Sequence, residues 1–188
     1  LGGVRYLAGT GADTFLGGGG DDRYEVSEAL ATGHLGGGND ALRLLSKLAQ
    51  GIVVDGGPGH DVVELFAGGL WDLTGLVNFE EVELLAASTL RLPATEGFRV
   101  LGSAGKDVIT LGAARQTVSG FGGDDIVAIT PATLVGSVLA GGGQASQDVL
   151  RLDEAGTYDF RRAAITGFEL IEQVAVPNGF STLLLNNQ

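Results

Sequence analysis

Seven aspartates, Asp13, Asp22, Asp40, Asp61, Asp107, Asp125 and Asp148, each close a short glycine-rich hexad, and they carry the chemistry open to this sequence. Two hexads read G-G-x-G-x-D in full: Gly17-Gly18-Gly19-Gly20-Asp21-Asp22 and Gly56-Gly57-Pro58-Gly59-His60-Asp61. Glycine tolerates positive φ, so such a turn can aim several carbonyl oxygens at one point, to which the aspartate adds a carboxylate. These are hard oxygen ligands. They suit calcium, which accepts roughly six to eight oxygens at roughly 2.3 to 2.6 Å. Zinc is poorly served by a chain with no cysteine and two histidines. One hexad cannot complete a calcium shell, so ligands must come from turns stacked one above another. The separations of 18 residues, Asp22 to Asp40 and Asp107 to Asp125, are therefore the informative ones.

The candidate ligands are Gly9, Gly11 and Asp13; Gly18, Gly20 and Asp22; Gly36, Gly38 and Asp40; Gly57, Gly59 and Asp61; Gly102, Gly105 and Asp107; and Gly120, Gly123 and Asp125. The hexads ending at Asp13 and Asp40 lack the first glycine, and those ending at Asp107 and Asp125 carry Ser103 and Phe121 in place of the second. The turn before Asp148 has Gln144 and Ser146 where glycine belongs, which weakens the case for calcium there. Asp21, Asn39 and Asp124 each precede a ligand aspartate and either add a ligand or hold the turn.

Two features outside the pattern agree with it. The residue two after each aspartate is Phe15, Tyr24, Leu42, Val63, Ile109, Val127 or Leu150, apolar in every copy, which predicts that these side chains point inward. Asp13 to Asp22 spans 9 residues and two later steps span 18, so a nine-residue unit sets the phase. Hexads joined by such short apolar pieces give strands that cannot fold alone and must stack on their neighbours.

A longer repeat overlies the first. Asp61-Val62-Val63-Glu64-Leu65, Gly69 and Trp71-Asp72-Leu73 are echoed 87 residues later by Asp148-Val149-Leu150-Arg151-Leu152, Gly156 and Tyr158-Asp159-Phe160. Phe79-Glu80 and Glu83 then face Phe168-Glu169 and Glu172, now 89 apart. The run from Leu73 to Leu92 suits longer parallel strands. Ala41 to Gln50, with Leu42, Leu45 and Leu48, is the one stretch with helical spacing. The expected organisation is one continuous solenoid with an N-terminal repeat segment at 1–63, a first strand-plus-repeat module at 64–147 and a partial second module at 148–188. The second copy stops at Gln188 before any counterpart of the Asp107 turn, which predicts a truncated array or a degenerate capping copy.

Composition excludes much. The 33 glycines in 188 residues far exceed the usual share of roughly 7%. Four prolines and no G-X-Y period rule out collagen, and 44% hydrophobic residues are too many for a disordered linker. A net charge of -12 argues against nucleic acid or an anionic membrane as partner and favours cations. No stretch is long and apolar enough to span a membrane. A start at Leu1, with neither Met nor a cleavable signal, reads as a cut through a longer protein. The sequence holds no H-E-x-x-H, G-x-S-x-G, phosphate-binding loop or dinucleotide fingerprint, so it reads as non-catalytic.

The segments Gly17 to Tyr24 and Gly56 to Val63 resemble the hemolysin-type calcium-binding nonapeptide of repeats-in-toxin proteins. The resemblance implies an all-β fold, a right-handed parallel β-roll or β-helix with two nonapeptides per coil and several calcium ions between successive turns. It also implies secretion through an unfolded state by a type I system and an extracellular or cell-surface location. The strand segments at 64–101 and 149–188 depart from a pure roll and suggest a wider β-helix or an interleaved sheet.

Several residues carry a plainer reading. His34 and His60 sit in or beside turns and read as solvated; Trp71 and Tyr158 read as core residues; Glu80, Glu81 and Glu83 read as a solvated strand face. Two other functions remain open: calcium-dependent self-association, as in a surface layer or adhesin, and binding or processing of cell-surface polysaccharide.

Overall fold

A computed structural model describes residues 3–8, 13–27, 31–46, 52–143, 147–174 and 179–185. The chain is an all-β solenoid of parallel strands, most of them three or four residues long, wound in stacked coils. A nine-stranded sheet runs through the whole stack: Arg5–Leu7, Arg23–Val26, Ala41–Leu44, Val62–Leu65, Glu81–Leu84, Arg99–Leu101, Thr117–Ser119, Val138–Ala140 and Ala164–Thr166. A second sheet, Asp13–Leu16, Ala31–His34, Val53–Asp55 and Leu76–Val77, serves the early coils. A third, Gly69–Asp72, Ser88–Arg91, Val108–Thr110, Ile126–Ile129, Val149–Leu152 and Leu170–Gln173, serves the later ones. Gly156–Asp159 pairs with Ser181–Leu184 in a small fourth sheet.

Stacking in register turns single apolar residues into columns. Tyr24, Leu42, Val63, Val82, Val100, Val118 and Leu139 lie on one another in the first sheet and are at most 3% exposed. Trp71, Leu90, Ile109, Val127 and Leu150 form the facing column of the third sheet. Burial of each such side chain stabilises the fold by roughly 1.5 to 3 kcal/mol. Phe15, Tyr24, Leu42, Val63, Ile109, Val127 and Leu150, expected to point inward, are all buried.

On the outer face of the first sheet, charge replaces hydrophobicity. Glu25 accepts from Arg5 at 2.7 Å and from Arg43 at 3.0 Å, and Arg43 reaches on to Glu64 at 2.5 Å. The hydrogen bond from Arg5 is the main reason that the Glu25 carboxyl titrates below its ordinary range.

Three expectations are corrected. Ala41–Leu44 is a strand, not the start of a helix, because Leu42 and Leu44 alternate into two stacked columns; residues 47–50 lie outside the described set. The run from Leu73 to Leu92 is cut into Leu76–Val77, Glu81–Leu84 and Ser88–Arg91, since the coil must turn a corner at buried Phe79. Finally, the stacked hexads occupy one corner per coil instead of two. The turns 17–22, 35–40 and 56–61 lead from the second sheet into the first, whereas 102–107, 120–125 and 141–148 lead from the first into the third. Among the described residues no helix is long and apolar enough to cross a membrane.

Candidate metal centre

Because every hexad but the one at Asp13 ends one residue before a strand of a continuous sheet, its aspartate inherits the register of that sheet. Two columns result. In the first, Val4 N–H donates to Asp22 Oδ1, Asp22 N–H to Asp40 Oδ1 and Asp40 N–H to Asp61 Oδ1, each at 2.7 Å. In the second, Ser88 N–H donates to Asp107 Oδ1 and Asp107 N–H to Asp125 Oδ1, both at 2.7 Å, and Asp125 N–H donates to Asp148 Oδ1 at 2.9 Å. The two pairings expected from the 18-residue spacing are thus adjacent in space, and Asp61 and Asp148 extend each column by one coil. All six carboxylates are buried, between 0% and 4% exposed.

One oxygen of each aspartate therefore does ordinary structural work at a corner N–H. The second oxygen is different. Gly18 N–H satisfies Asp22 Oδ2 at 2.9 Å and Ser103 N–H satisfies Asp107 Oδ2 at 2.7 Å. Oδ2 of Asp40, Asp61 and Asp125 is buried with no hydrogen-bond partner. Two of these oxygens face the glycine backbone of their own turns: a Cβ on Gly56 would lie 2.6 Å from Asp61 Oδ2, and one on Gly120 would lie 2.4 Å from Asp125 Oδ2. Neighbouring coils sit about 4.8 Å apart, so each column stacks like charges in a desolvated place.

The titration of the columns reflects this. Burial, aided by neighbouring carboxylates, pushes Asp61 up to about 6 and Asp125 up to about 7. Burial also raises Asp40 and Asp107. A buried anion lacking a partner is costly unless it is protonated or meets a cation.

Glycine has a separate reason to be here. Gly57 has φ 96°, and a Cβ on it would lie 1.8 Å from Gly36 O. Gly36 has φ 106° and stands in the same relation to Gly18 O, at 2.1 Å. Phe121, in place of a second glycine, still adopts φ 69°. Some turn carbonyls already serve the stack: Gly18 O accepts from Gly37 N–H at 2.8 Å, and Ser103 O accepts from Gly122 N–H at 3.3 Å. Asp21, Asn39 and Asp124 also hold turns, since Asn39 N–H donates to Asp21 Oδ1, His60 N–H to Asn39 Oδ1 and Gln147 N–H to Asp124 Oδ1.

The first block thus assembles Gly18, Gly20, Asp22, Gly36, Gly38, Asp40, Gly57, Gly59 and Asp61, and the second assembles Gly102, Gly105, Asp107, Gly120, Gly123 and Asp125. Gly9 and Gly11 lie outside the described residues, and the register partner of Asp13 is Ala31, not another hexad aspartate. Among the described residues no three His, Cys, Asp or Glu side chains come together as a metal-holding group. Main-chain oxygens would have to supply most of any cage.

Sequence reasoning missed the ends of both columns. Glu80 Oε2 accepts from Asp61 N–H at 2.7 Å, and Glu169 Oε2 accepts from Asp148 N–H at 2.8 Å. The echo of Phe79-Glu80 in Phe168-Glu169 was the available signal. Glu80 is accordingly not merely part of a solvated face. Trp71 and Tyr158 are buried at 2% and 0% and present no stacking platform to a sugar. Trp71 Nε1–H donates to Ala67 O, and the Tyr158 hydroxyl donates to Glu154 O. Comparison of the chain with protein-family models, with curated proteins and with solved structures finds no match.

Proposed function

We propose that this chain is a non-catalytic calcium-binding repeat module of the repeats-in-toxin type, from a secreted protein, whose solenoid tightens when extracellular calcium enters the aspartate columns. The observation that carries the reading is the partnerless, buried Oδ2 of Asp40, Asp61 and Asp125, of which those of Asp61 and Asp125 face the glycine backbone of their own turns. Divalent calcium would neutralise two stacked carboxylates at once, while glycine carbonyls of the turns completed its shell. Asp22, Asp40 and Asp61 with their glycines would hold ions in the first block, and Asp107 and Asp125 in the second.

Magnitudes set the role. For sites with Kd near 10⁻⁴ to 10⁻³ M, about 1 mM calcium stabilises the folded state by roughly 0.4 to 1.4 kcal/mol per site. One site changes little, but several coupled sites decide whether the array is tight or loose. At cytosolic calcium the sites would stay empty and a chain of net charge -12 would repel itself, which suits passage through a secretion channel. A calcium titration followed by circular dichroism tests this: β signal gained with calcium and lost with chelator supports it, and a spectrum indifferent to both contradicts it.

A further inference from the structure

The hexads are not spread evenly. They fill 8–61 and 102–148, and residues 62–101 between them contain none and have only four glycines, Gly68, Gly69, Gly75 and Gly97. Val62–Leu65, Gly69–Asp72 and Leu76–Val77 follow one another through the first, third and second sheets within a single coil. The large side chains Trp71, Leu73, Phe79, Leu90, Leu92 and Phe98 are packed there, none more than 2% exposed.

Polar groups in this region are satisfied without metal. Asp72 caps Thr74, Ser88 Oγ–H donates to Ala86 O, and Trp71 Nε1–H has Ala67 O. The partnerless buried carboxylate oxygens lie outside it, at Asp13, Asp40 and Asp61 on one side and Asp125 on the other. The first aspartate column ends on Glu80 and the second begins at Ser88, so both columns stop within the central coils.

In a solenoid each coil contacts only its neighbours, and order spreads from whichever coils are stable alone. We infer that residues 62–101 form a calcium-independent nucleus on which two calcium-dependent wings, 3–61 and 102–174, stack in opposite directions. This inference rests on the calcium reading above and adds where the metal is not needed.

The single tryptophan of the chain, Trp71, lies inside the proposed nucleus and reports on it directly. Its emission is measured on the full chain in chelator and in millimolar calcium, together with hydrogen exchange along the sequence. In chelator, Trp71 should keep the blue emission of a buried indole. Amides of 62–65, 81–84 and 99–101 should exchange at least about tenfold more slowly than those of 23–26, 41–44 and 126–129. Calcium should slow the wings to the central level and leave Trp71 unchanged. A red-shifted Trp71 in chelator, recovered with calcium, overturns the nucleus and leaves the calcium reading standing. Equal protection along the whole chain in chelator, unchanged by calcium, overturns both.

Discussion

The main-chain N–H of Asp107 donates to Oδ1 of Asp125 at 2.7 Å across 18 residues of sequence, while Oδ2 of the same Asp125 is buried without a partner. One carboxylate thus has two tasks. The first oxygen ties coils together by a bond any solenoid corner could use, and the second leaves a negative charge that burial alone makes unfavourable. Asp61 repeats the arrangement in the first column with Asp40.

The pH dependence of the metal-free protein follows from this. Asp61 and Asp125 titrate at about 6 and about 7 in the folded chain, above the ordinary carboxylate range, so the folded state binds protons more tightly than the unfolded one. Their contribution is complete below about pH 4 and is lost as pH rises through 6 and 7. Thermal melts in chelator should therefore fall between about pH 5 and about pH 8. Calcium should flatten that slope. A midpoint that rises over this range in chelator would contradict the burial of these anions.

Substitutions at Asp125 separate its two oxygens. Asp125→Asn keeps an acceptor for Asp107 N–H and removes the charge, so in chelator at neutral pH it should melt higher than the parent. Asp125→Ala strands the buried N–H and should lose about 1 to 3 kcal/mol. In calcium the advantage of Asp125→Asn should shrink or reverse, since one site's share, roughly 0.4 to 1.4 kcal/mol, is gone. Paired melts with and without calcium check this.

Glycine substitution should be sharply position-dependent. Gly57→Ala places a Cβ 1.8 Å from Gly36 O at φ 96°, so the left-handed conformation alone costs about 1 to 2 kcal/mol and the coil must also shift. Gly19→Ala meets nothing within 4 Å and should change stability by no more than about 0.5 kcal/mol. Denaturant titration of the two variants makes the comparison.

Phe121 offers the opposite test. It holds φ 69° while 55% exposed, so its side chain gains little from packing to offset the backbone strain. Phe121→Asn, whose side chain tolerates this conformation, should stabilise by up to about 1 kcal/mol, read as a higher melting midpoint.

Much of this was legible in the sequence because the repeat acts at short range. The Asp-x-apolar spacing fixes which residue turns inward, and that rule placed Tyr24, Leu42, Val63 and Ile109 correctly. Equal spacing also found the neighbours Asp22 and Asp40. It missed Asp61 and Asp148 as members of the columns because the intervening coils are 21 and 23 residues long. Stacking depends on sheet register, which absorbs extra loop residues at the corners. Glu80 escaped for another reason: its longer side chain reaches the N–H of Asp61 without a glycine turn, so no hexad marks it. The helical spacing that begins at Ala41 is not realised, because i, i+3 spacing of leucines cannot report the strands that will flank them.

Direct location of metal settles the matter most plainly. Crystals of the full chain grown in calcium should give anomalous difference peaks beside Asp40 and Asp61 in the first column and beside Asp125 in the second, with turn carbonyls at roughly 2.3 to 2.6 Å. Well-ordered turns without such peaks, their Asp Oδ2 atoms met by water or protons instead, would leave the columns as purely structural ladders and contradict the calcium reading.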